Sequence, residues 1–138
     1  MSKSVIVPPA VIDELEQGKR QGEDVPNIQD YSWIWVQKVK VPDFLKLITD
    51  LGLGEAEVLT LALEEPNSLI VLDERLARRI AELRGLKFTG TAGVLLKAKQ
   101  QGYIISISPI LEQLLKLGFR ISNRVKNDIL KLAGEPLE

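Results

Sequence analysis

The chain has 138 residues, a formal net charge of −1, 45% hydrophobic residues and only 5% aromatic ones. That is the length of one domain, with enough Leu, Ile, Val and Ala to fill a core. Histidine and cysteine are both absent. Their absence excludes disulfides, cysteine nucleophiles, histidine general bases, Ser-His-Asp triads and the usual zinc and haem ligands. No apolar run approaches the ~20 residues of a membrane span, and the first residues lack the apolar core of a secretory signal. The sequence therefore reads as cytoplasmic, with no membrane partner.

The small net charge hides an asymmetry. Residues 1–66 carry 6 Lys/Arg against 12 Asp/Glu, and residues 67–138 carry 12 against 7. Such a division suits an acidic pocket beside a basic rim, with carboxylates for a cation and Lys/Arg for phosphate. Ordinary surface variation produces the same pattern.

In chain order, Val5-Ile6-Val7 reads as a strand, and Pro8-Pro9 opens a helix through Val11, Glu14 and Leu15 to Gly18. Residues 19–30 are polar and read as a loop; Ser32 to Lys40 alternates as a second strand. Pro42-Asp43 opens a helix, Gly52-Leu53-Gly54 interrupts the chain, and a further helix spans Glu55 to Glu64. After a turn at Pro66-Asn67, Leu69 to Leu72 is a continuous apolar run, as in a strand covered on both faces. Asp73 begins a helix that ends at Gly85, Lys87-Phe88 is a short strand, and Ala92 to Gln101 is helical. Ile104-Ile105 reads as extended, Ser108-Pro109 as a cap and start, and Ser122 as the cap of a last helix ending at Gly134. Strands alternating with amphipathic helices argue one α/β domain over residues 1–138, with a mainly parallel sheet.

Three carboxylates stand out. Glu14 shares a helical face with Val11 and Leu15, and Glu55 starts a stripe with Val58, Leu59 and Ala62. A carboxylate beside an apolar face is costly unless paired or bound to a cation. Asp73 directly follows the apolar strand, at the carboxyl edge where open α/β sheets bind ligands. Converging, the three would make an oxygen cage for Mg²⁺ or Mn²⁺. Structural roles compete: an ion pair with Lys19 or Arg20 for Glu14, the helix dipole for Glu55, an N-cap for Asp73. Glu57 and Glu74 are neighbouring substitutes with more solvated faces. Arg75 is placed to hold phosphate, whereas Arg78 or Arg79 belongs to a solvated face. Thr91, in Gly90-Thr91-Ala92-Gly93, opens a helix N-terminus that a phosphate can approach. Trp33, Trp35 and Tyr103 read as too scattered for base stacking.

VIVPPAVIDEL (5–15), GLGEAEVLTLALE (52–64), LIVLDERLARRIAELRGLKFTGTAGVLLKAKQQG (69–102) and GFRIS (118–122) together resemble a branch of PIN-domain-like proteins. That branch is described as predicted nucleic acid-binding and is related to VapC-type toxins. The resemblance covers nearly the whole chain. It implies a three-layer α/β/α fold with a central parallel sheet, and a metal-dependent endoribonuclease using Mg²⁺ or Mn²⁺. By position, Glu14, Glu55 and Asp73 match the family's acidic residues, with Glu55 and Asp73 as the principal metal ligands. RNA would be the substrate, with an antitoxin protein as partner. One departure stands against these matches. The family begins with a strand ending in Asp-Thr or Asp-Ser, and here only Met1-Ser2-Lys3-Ser4 precedes Val5. The expectation is an N-terminal strand missing from this sequence, a weaker metal site, and sheet edges covered by a homo-oligomer or by a longer natural chain. The competing expectation is a non-catalytic nucleic acid- or protein-binding remnant of the same fold.

Overall fold

A computed structural model describes residues 4–137. The chain divides into two units, Met1–Phe88 and Thr89–Glu138.

In the first unit, strand β1 (Val5–Val7) runs into helix α1 (Pro9–Arg20). Proline suits the first turn because its missing N–H has no intrahelical partner there anyway. The helix runs two residues beyond the stop expected at Gly18. A short 3-10 turn (Ile28–Asp30) breaks the polar loop that follows. Strand β2 is only Ile34–Val36, shorter than the alternation in 32–40 suggests, and it pairs with β1 in parallel. The register sets Val5 against Ile34, Ile6 against Trp35 and Val7 against Val36. Helix α2 (Asp43–Lys46) is one turn; α3 (Leu53–Glu64) follows. Asn67 makes the expected turn with φ of 66°.

Strand β3 is Ile70–Val71. The expectation of cover on both faces holds on one face only: Ile70 and Leu72 are buried, while Leu69 and Val71 are exposed. Helix α4 (Arg75–Leu83) is capped by Glu74, whose carboxylate accepts from Leu76 N–H at 2.9 Å and Ala77 N–H at 2.8 Å. The N-cap role considered for Asp73 thus belongs to the next residue. The helix closes at Gly85, whose φ of 69° lets Leu86 N–H return to Ala81 O at 2.9 Å. Ile70 N–H donates to Lys87 O, and β3 pairs with β4 (Phe88–Thr89). Among the described residues the strands form two separate two-stranded sheets, β1–β2 and β3–β4.

Helix α3 is the hub of this unit: α1, α4 and β3 all pack on it. Its buried side chains, with Leu59 fully buried, join Leu45, Leu51, Ile70, Leu72, Ala77 and Ile80 in one core.

The second unit contains α5 (Thr91–Gln100), α6 (Ser108–Lys116) and α7 (Asn123–Leu132), with α5 packed on α7. Residues 103–106 carry no regular structure, so the extended piece expected at Ile104-Ile105 does not form. Ser122 caps α7 as expected, accepting from Val125 N–H at 3.1 Å. Helix α6 begins at Ser108 with Ile107 in the cap position, one residue before the expected cap. Ile107, Leu111, Ile129 and Leu130 form the core of this unit.

Candidate functional site

The first turn of α3 is built around two glycines. A Cβ on Gly54 would lie 2.6 Å from Oε1 of Glu14, and a Cβ on Gly52 would collide with Oε2 of Glu55. Because both positions lack a side chain, the Glu14 carboxylate from α1 can lie against α3, while Glu55 folds back over the helix start. Two acids separated by 41 positions in sequence thereby become neighbours. Their proximity has an electrostatic signature: partial desolvation, with the Glu55 charge adding to it, holds the Glu14 carboxyl above its ordinary value of 4.5.

Glu57, two residues along α3, does something different. Its Oε1 accepts from Ala10 N–H at 2.9 Å. Helix α1 starts behind Pro8, which offers no side-chain cap. Glu57 supplies that cap from a distance, satisfying a donor that would otherwise be orphaned. The two acids on α3 therefore divide their work, Glu55 beside Glu14 and Glu57 on the end of α1. The signal available in the sequence was the uncapped Pro-Pro start, which requires an acceptor from elsewhere.

Asp73 is exposed between β3 and α4. It lines an open concavity with Asp50, Glu74, Arg75, Arg79 and Glu82, where acidic and basic side chains alternate. Among the described residues, no group of three or more Asp, Glu, His or Cys side chains is placed to hold a metal ion. The expected convergence of Glu14, Glu55 and Asp73 is not formed there. Asp73 stands in the link between β3 and α4, whereas Glu14 and Glu55 come from α1 and the start of α3.

Arg75 is exposed at the start of α4 and lines the same concavity. Arg78 is not on a solvated face: its Nε donates to Leu72 O at 2.7 Å and its guanidinium lies 5.3 Å from the Phe88 ring centre. Arg79 is the solvated one of the two. Thr91 opens α5 in the second unit.

Of the aromatic residues expected to be scattered, Trp33 and Trp35 instead stand with Tyr31 in one exposed stretch, while Tyr103 belongs to the second unit. Tyr31, Trp33 and Trp35 follow at alternate positions leading into β2, with Trp33 51% and Trp35 64% exposed. The Tyr31 and Trp33 rings meet edge to face at 5.7 Å.

A family model described as a PIN domain matches residues 1–135, so the chain belongs to the PIN-domain family. No curated protein and no solved structure matches it. PIN domains generally use divalent metals. Hard cations take carboxylate oxygens, and Mg²⁺ commonly keeps several waters while binding one or two carboxylates plus substrate phosphate. Glu14 and Glu55 bring two carboxylates near one another; a three-carboxylate cage is not present among the described residues.

Proposed function

We propose that this chain is a PIN-type, metal-dependent ribonuclease acting in the cytoplasm, the toxin member of a pair silenced by an antitoxin protein. The observation that carries the reading is the Glu14–Glu55 pair. Desolvation first and the Glu55 charge second raise the Glu14 carboxyl above its ordinary value, and a divalent cation would relieve both. Glu14 and Glu55 would hold Mg²⁺ or Mn²⁺. The bound cation would supply charge stabilisation to a phosphodiester undergoing hydrolysis. Arg75, exposed beside Asp73 on the α4 concavity, would hold a phosphate of the RNA backbone.

A second reading has its own support. The third carboxylate does not join the pair among the described residues, and this favours a PIN fold that binds RNA or protein without cleaving it.

The test combines metal binding with cleavage. Mg²⁺ or Mn²⁺ is expected to raise the melting temperature of the wild-type chain and to leave Glu14→Gln and Glu55→Gln unmoved. RNA cleavage is expected to need the metal, Glu14, Glu55 and Asp73. A melting shift without cleavage, from a folded sample, supports the binding reading. Identical metal responses in wild type and Glu14→Gln overturn the assignment of the pair.

A further inference from the structure

We propose that the exposed row Tyr31, Trp33 and Trp35, continued by Lys38 and Lys40, is a stacking surface for single-stranded RNA. The inference rests on the ribonuclease reading for the identity of the nucleic acid, and on independent observations for the surface itself. The chain has only two tryptophans, and both lie more than half exposed within this row. Tryptophan is normally largely buried, so two exposed rings two positions apart in the chain point to a partner.

Trp35 lies in β2, and Tyr31 and Trp33 belong to the turn that leads into it, closed by Ile34 N–H donating to Tyr31 O at 3.2 Å. Trp33 O accepts from Val5 N–H, which carries the β1 pairing back to Trp33 and fixes its backbone. Tyr31 is held against Trp33 edge to face. The rings therefore sit on an anchored backbone and lose little freedom when a base covers them. Lys38 and Lys40, both exposed, come three and five residues after Trp35 in the chain. Aromatic rings beside cations are the combination that single-stranded nucleic acids recognise, rings for the bases and ammonium groups for the phosphates. The centre of a protein-docking patch is instead depleted of charge.

Because both tryptophans lie here, intrinsic tryptophan emission reports on this surface alone. The full chain would be titrated in EDTA with an oligouridine of about 12 nucleotides, over a range of salt concentrations. Emission is expected to be quenched on binding. Trp35→Ala should weaken binding about tenfold or more, with Trp35→Phe close to wild type, since a phenyl ring still stacks. Neutralising Lys38 and Lys40 together should lower the salt slope by about 1.4. Far-UV circular dichroism controls for folding, and the exposed ring leaves no cavity when removed. Absence of quenching, or equal affinity of Trp35→Ala and wild type, overturns the proposal. So does emission that changes with protein concentration before RNA is added, which would assign the row to contact between copies. Quenching in EDTA with no cleavage once Mg²⁺ is supplied supports the surface while the nuclease reading fails. Cleavage without quenching does the reverse.

Discussion

At the residue scale, the pairing of Glu14 with Glu55 depends on an absent side chain at Gly54. A methyl group there would displace the end of the flexible Glu14 side chain rather than backbone. Gly54→Ala is therefore expected to keep or raise stability, since alanine favours a helix interior by about 1 kcal/mol over glycine. The same substitution should abolish the metal-induced melting shift; a retained shift would show that Glu14 does not need its place against α3. Glu14 also carries a pH signature. Its carboxyl is held above 4.5 in the folded chain, by desolvation first and Glu55 second. Ionising a group with a raised folded pKa works against the folded state, so its stabilising contribution is lost as pH rises through that value. In metal-free buffer at pH 7, Glu14→Gln should melt higher than wild type, and the difference should narrow as pH falls through the raised folded value toward 4.5.

At the scale of elements, two helices are capped by carboxylates from far along the chain. Helix α1 takes Glu57, and α6 takes Glu135, which accepts from Ile107 N–H at 2.8 Å and Ser108 N–H at 3.0 Å. Glu135 also receives Lys99 Nζ at 2.8 Å and Ser106 Oγ at 3.0 Å, with its side chain only 8% exposed. Lys99 above all, with Ile107 N–H next, holds its carboxyl down to about 2. A lowered folded pKa gives stability that is present above the unfolded value and fades as pH falls through the folded one. Glu135→Gln should therefore destabilise the second unit at neutral pH, with the gap to wild type narrowing between pH 4.5 and about 2. Glu57→Ala should cost about 1 kcal/mol, as other cap losses do, and speed amide exchange in the first turn of α1. These remote caps explain which parts of the fold were legible. Ser122 before α7 and Gly85 after α4 act within one turn of chain, so local chemistry alone predicts them. The strands are shorter than the sequence suggests, because alternation in 32–40 and apolarity in 69–72 report only a tendency to extend. Pairing partners decide how many residues actually ladder.

At the scale of the whole molecule, the charge asymmetry follows the division into units. Residues 1–88 carry 11 Lys/Arg against 15 Asp/Glu, and residues 89–138 carry 7 against 4. Each unit also has its own core, centred on Leu59 in the first and Leu111 in the second. Both side chains are fully buried. Truncating either to alanine should cost about 2–5 kcal/mol. Hydrogen exchange is expected to show lost protection concentrated in the unit that carries the substitution; equal loss across both would show a single cooperative body.

The sequence by itself determined the α/β class, the helix starts and stops that rest on Pro, Gly, Ser and Asn, and the residue types available for chemistry. It also marked Glu14, Glu55 and Asp73, because an acid beside an apolar stripe or at a strand end is visible in one dimension. Only the tertiary structure decided which acids meet. The pairing of α1 with α3 brings Glu14 to Glu55 and turns Glu57 onto a helix end. It likewise left Trp33 and Trp35 more than half exposed beside the two-stranded β1–β2 sheet of the described residues. Such outcomes depend on contacts between segments tens of residues apart, and local patterns carry no information about which distant group will arrive.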